Sequence, residues 1–108
     1  MADAAKLRRA PSAGHAGLCP AELAALRDDV DALPVRGWCS GVVVAAGRGP
    51  WLALEHAAGW AVRYSAYDPE ADAGVELPRE RWEPVTPRTL FDLASLTKVF
   101  TALAAMRQ

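Results

Sequence analysis

Between Pro20 and Leu33 the apolar side chains Leu23, Leu26, Val30 and Leu33 recur at steps of three and four among charged residues, which predicts an amphipathic helix. Pro20 suits its first turn, Glu22 lies near the positive end of its dipole, and Pro34 is expected to close it. The pattern then changes period. Gly41 to Gly47, GVVVAAG, is a short apolar run rich in β-branched residues and reads as a well-buried strand. Gly47 to Pro50, GRGP, punctuates a turn, and the loosely alternating stretch from Trp51 reads as the second arm of a hairpin. Gly59 within that arm marks a bulge or the close approach of another backbone.

From Ser65 to Thr89 the chain becomes acidic and proline-rich, and reads as a long surface loop. Helical spacing returns after Phe91 with Leu93, Leu96, Val99, Phe100 and Leu103, and Asp92 is the expected N-cap. Residues 1–18 have charge, Ala and Gly without a period and are expected to be a flexible tail. The elements in order are helix, antiparallel hairpin, long loop, helix: an α+β fold.

Composition narrows the function classes. Of the 108 residues 52% are hydrophobic and 23% charged, a globular balance, and the net charge of -1 is spread along the chain. No basic patch points to nucleic acid, and no segment approaches transmembrane length. The N-terminal stretch has no continuous apolar core of the secretory kind, so a reduced, cytoplasmic protein is expected, with Cys19 and Cys39 unpaired. These cysteines and His15 lack zinc-ligand spacing, and no metal or organic cofactor is implied.

Candidate chemistry lies in the last apolar segment. The chain uses ten arginines and only two lysines, yet a lysine, Lys98, stands three residues after Ser95. Residues three apart share a helix face, so an amine at Lys98 is in reach of the Ser95 hydroxyl. Serine needs a base to become a nucleophile, and lysine serves where arginine does not, because arginine effectively never deprotonates. Ser95 also falls near the helix start, where free N–H groups favour developing negative charge. By itself the S-x-x-K spacing is common, and a solvated helix start is the bland alternative. A triad through His56 has no Gly-x-Ser-x-Gly elbow to support it, so His56 reads as a strand-surface residue. Trp51, Trp60 and Trp82 read as core or loop anchors, Asp68 to Asp72 as a solvated turn, and Thr97 as a residue that shapes the helix.

The wider segment TLFDLASLTKVFTALAAM resembles the nucleophile region of the serine β-lactamase and penicillin-binding-protein superfamily. It is most similar to the branch of class C β-lactamases, D-stereospecific peptidases and related esterases. Phe91, Ala94, Ser95, Leu96, Thr97, Lys98, Phe100 and Thr101 fit that branch's pattern, and the upstream order of helix, Gly-Val-Val-Val strand and Gly59-Trp60-Ala61 matches as well. Ser40 departs from it, since relatives often carry proline there. The resemblance implies a partial β-lactamase/transpeptidase-like fold over residues 19–108, with Ser95 the acylated nucleophile and Lys98 its proton partner. It implies a small-molecule amide or ester substrate: a β-lactam, a D-peptide or an ester. The second family motif, Tyr-x-Asn, is missing because the chain contains no asparagine, and no Lys-Thr-Gly or His-x-Gly follows the nucleophile segment. The expectation is therefore an N-terminal piece of a serine hydrolase, inactive alone. The competing readings are a non-catalytic remnant or interaction module that keeps the nucleophile helix, and an unrelated α+β binding domain with a chance motif.

Overall fold

The computed structural model describes residues 6–108. A hairpin organises it. Strands β2 (Gly41–Arg48) and β3 (Trp51–Val62) pair antiparallel across a two-residue turn at Gly49 and Pro50, from Gly41 opposite Gly59 to Arg48 opposite Trp51. The other edge of β3 holds two short strands: β1 (Arg8–Arg9) runs parallel beside Trp51 and Leu52, and β6 (Glu83–Pro84) runs antiparallel beside Trp60 and Val62. Strand β3 is thus central, and among the described residues the outer edge of β2 has no partner.

Helix α1 (Pro20–Val35) lies on one face of this sheet. Its inward residues are those the spacing predicts, with Val30 5% exposed and Leu23, Leu26 and Leu33 half-buried. Leu54 of β3, 6% exposed, and His56, bonded to Asp31 of α1, mark the face that α1 covers. By register Val42, Val44 and Ala46 share that face with Ala58, whereas Val43, Ala45 and Ala57 lie on the other. The GVVVAAG run, expected to be well buried, is therefore half-buried, because one helix screens only one side of a period-two strand.

The helix end also differs from expectation. Pro34 does not close α1, which runs one residue further. Near a C-terminus a proline removes only one late hydrogen bond, so the helix tolerates it there. Closure comes from Gly37, at φ +77°: its N–H donates to Pro34 O at 3.2 Å, and the Trp38 N–H donates to Leu33 O at 3.1 Å. This paired arrangement satisfies the last carbonyls and needs a left-handed residue.

Gly59 has φ +83°, and a Cβ there would stand 2.3 Å from Ser40 O. The close backbone approach expected from the sequence is present, and it brings the end of α1 and the start of β2 against β3.

The stretch expected to be one long loop carries a second hairpin, β4 (Tyr64–Asp68) with β5 (Ala73–Glu76). The Asp68 carboxylate accepts from the N–H groups of Glu70 at 2.9 Å and Ala71 at 3.3 Å, and that local turn folds the acidic tip back. Arg63 and Glu76 close the hairpin base at 2.5 Å. Of residues 1–18, the first five lie outside the described residues. Within the rest of that stretch, Arg8 N–H donates to Pro50 O and Ala10 N–H to Leu52 O, both at 2.8 Å, and Ala16 is buried.

Candidate active site

The segment that carries Ser95 and Lys98 is built by local bonds. The Thr89 hydroxyl accepts from Thr86 N–H at 2.9 Å, and the Thr86 hydroxyl from Arg88 N–H at 3.2 Å, forming the turn that leads into it. Asp92 then accepts from Ala94 N–H at 2.8 Å. That bond closes a local turn leading into a 3-10 turn, Ala94–Leu96, whose N-cap is Leu93, so Asp92 is not the N-cap of the α-helix predicted to start there; helix α2 proper is Thr97–Met106. Leu96 N–H donates to Leu93 O at 2.9 Å. The Thr101 hydroxyl donates to Thr97 O at 3.2 Å, one turn back along the same helix.

Ser95 is the middle residue of the 3-10 turn, and Lys98 is the second residue of α2. Both are exposed. Among the described residues no hydrogen bond joins their side chains, though both stand at the mouth of α2. Ala94, immediately before Ser95, has φ +45°. A non-glycine residue in this region costs on the order of 1–3 kcal/mol. A small residue is what the sequence leads one to expect at Ala94; the left-handed backbone has no signal there, because alanine does not favour it.

The other candidates have separate surroundings. His56 Nε2 lies 2.6 Å from Asp31 Oδ1 and pins β3 to α1. His15 meets the Trp51 ring edge-on, with centroids 4.5 Å apart. Cys19 and Cys39 are free thiols. Trp60 and Trp82 pack edge to face at 5.3 Å, the Arg79 guanidinium stacks over both rings at 4.5 and 4.3 Å, and Trp82 Nε1 donates to Leu77 O at 2.8 Å. These anchors tie the segment after β5 to β3. A cleft of about 650 Å³ opens beside them, walled by Asp31, Pro34, Trp60, Arg63, Arg79 and Trp82 and containing neither Ser95 nor Lys98. Tyr67 donates to Asp72, and that bond holds the phenol above its ordinary pKa of 10.0. Among the described residues no group of three or more His, Cys, Asp or Glu is arranged to hold a metal ion, and no helix is long and apolar enough to cross a membrane.

The chain thus combines a mixed α+β frame with a serine and a lysine at the mouth of an apolar helix, a frame consistent with part of a β-lactamase-like fold. A family model described as Beta-lactamase matches residues 26–108, from inside α1 through Ser95 and Lys98, and the chain belongs to that family. Membership puts it in the serine β-lactamase and penicillin-binding-protein superfamily of hydrolases, and implies small-molecule substrates. No curated protein and no solved structure matched the chain.

Proposed function

We propose that this chain carries the nucleophile of a serine hydrolase of the class C-related branch, acting on a small-molecule amide or ester. Ser95 Oγ attacks the carbonyl carbon, its proton passes to Lys98, and the leaving group departs with a proton, giving an acyl-enzyme. Water or another acceptor then releases the acyl group. The observation that carries this reading is the placement of Ser95-x-x-Lys98 at the start of α2 inside the segment matched to the family. Two physical features support it. Lys98 stands three residues after Ser95 in the first turn of α2, and Ala94 holds a strained backbone next to the serine. The free thiols of Cys19 and Cys39 fit a reducing compartment, and the cytoplasm is the proposed location.

The same reading makes the 108 residues inactive by themselves. They contain no asparagine for a Tyr-x-Asn motif, and the cleft beside Trp60 and Trp82 does not include Ser95. With a chromogenic ester, the chain and its Ser95→Ala variant are expected to hydrolyse at equal rates. Ser95-dependent turnover would overturn the inactivity and make the second and third motifs dispensable. In cells that produce the protein from its own gene, a fluorophosphonate probe is expected to label Ser95. Failure to label it there would leave a non-catalytic remnant or interaction module, a reading that the exposed apolar surface of α2 favours.

A further inference from the structure

Two arginines and three aromatic rings stack where β3 gives way to the second hairpin. The Arg63 guanidinium lies over Trp82 at 4.5 Å and over Tyr64 at 5.2 Å. Arg79 lies over Trp82 at 4.3 Å and over Trp60 at 4.5 Å. A guanidinium over a ring spends its face on that contact and keeps its in-plane N–H groups for acceptors. The two arginines differ in what those N–H groups meet. Arg63 donates to Glu76 Oε1 through Nε at 3.1 Å and through Nη2 at 2.5 Å. Among the described residues no carboxylate pairs with Arg79, and its side chain donates no hydrogen bond.

This stack walls the cleft of about 650 Å³, a size that suits a small organic molecule. Pro34 at the end of α1 and Ala58 of β3 add apolar surface to it. Asp31 lines it too, but its carboxylate is engaged by His56 Nε2 at 2.6 Å. Trp82 Nε1 is likewise committed, to Leu77 O at 2.8 Å. What the cleft has left to offer is apolar surface and one cation without an acceptor. The planar fork of a guanidinium matches a carboxylate lying in its own plane. A flat apolar body on that carboxylate covers the proline and the indoles. Phosphate supplies the charge without the body, and an organic ammonium is repelled by both arginines.

We propose that this cleft binds small aromatic carboxylates, with Arg79 taking the carboxylate and the ring lying against Pro34, Trp60 and Trp82. Its walls all come from residues 31–82 and include neither Ser95 nor Lys98, so the site does not depend on any chemistry at Ser95. Arg79 is exposed, so water and salt weaken its contact. The affinity expected is millimolar and falls as salt rises.

Trp60 and Trp82 are built-in reporters of such a ligand. In the full-length protein produced from its own gene, benzoate is expected to change tryptophan fluorescence saturably. Benzamide has the same shape without the charge, and inorganic phosphate has charge without the ring; neither is expected to do so at the same concentrations. Arg79→Gln is expected to weaken benzoate binding by about tenfold or more. Arg79→Lys restores the charge without the fork and is expected to fall between that variant and the parent. Ser95→Ala is expected to bind as the parent does. Should Arg79→Gln fail to fold by circular dichroism, the three probes on the parent decide the matter by themselves. The proposal is overturned by benzoate without a saturable signal, or by benzamide or phosphate binding as tightly as benzoate. Benzoate binding that survives Arg79→Gln, or that is lost in Ser95→Ala, places the ligand elsewhere and overturns it equally.

Discussion

Residues 6–85 and residues 90–108 are both regular, but for different reasons. In the first region the central elements are held by others distant in sequence: α1 rests on β2 and β3, Arg9 pairs with Glu55 at 2.7 Å, and Trp82 packs on Trp60. In the second, Asp92 accepts from an N–H two residues away and the helix follows its own backbone code, while every side chain from Leu90 to Gln108 remains exposed. Long-range contact makes the first region a frame. Local propensity alone draws the second, which is also the region bearing Ser95 and Lys98.

The largest break in that contrast is expected at Gly59. Gly59→Val adds a Cβ that would meet Ser40 O at 2.3 Å and Pro34 Cγ at 2.8 Å, at a φ of +83° that valine resists. Strain and overpacking together are expected to cost about 3 kcal/mol or more, read as a lower urea midpoint of the sheet signal. A variant as stable as the parent would mean that α1 and β2 do not meet at this point. Next come paired truncations. Leu54→Ala, at a site 6% exposed, is expected to cost about 2–3 kcal/mol; this is the low end for a leucine, because one sheet face is open and its cavity can relax. Leu103→Ala, at a site 60% exposed, is expected to cost less than about 0.5 kcal/mol. Similar losses at the two sites would put α2 in the frame after all.

The smallest effect is electrostatic. The Tyr67 hydroxyl donates to Asp72, so the folded chain favours the protonated phenol and its pKa lies above the unfolded value of 10.0. The contribution is therefore complete below pH 10.0 and is lost as pH rises through the folded-state value. In a phenolate absorbance titration, Tyr67→Phe and Asp72→Asn are each expected to remove the component that ionises above the ordinary value. Persistence of that component in both variants would assign it elsewhere.

Much of the frame is legible in the sequence. The three-and-four spacing of Leu23, Leu26, Val30 and Leu33 gives the buried face of α1, and Gly59 announces a close approach, because each rests on geometry fixed by a few neighbouring residues. The end of α1 was legible too, through Gly37 rather than Pro34: a glycine two positions beyond the last helical residue supplies the left-handed conformation that closure needs. The second hairpin was masked by prolines and acids, yet Asp68-Pro69-Glu70 is turn chemistry, with the Asp68 carboxylate taking the N–H groups that follow. No local pattern marks β6 or β1 as neighbours of β3. Each has two residues, too few for a periodicity, and each exists only because β3 offers an open edge.

At the candidate site, the identity and order of Ser95 and Lys98 and the family the chain belongs to are properties of the sequence, because serine, lysine and helix start are all written within a few residues. Tertiary structure decided where burial falls. It put Leu54 and Val30 in a shared core and pinned His56 to Asp31. It also left α2 standing clear of both, since a helix pattern specifies an apolar face but not the surface that will cover it.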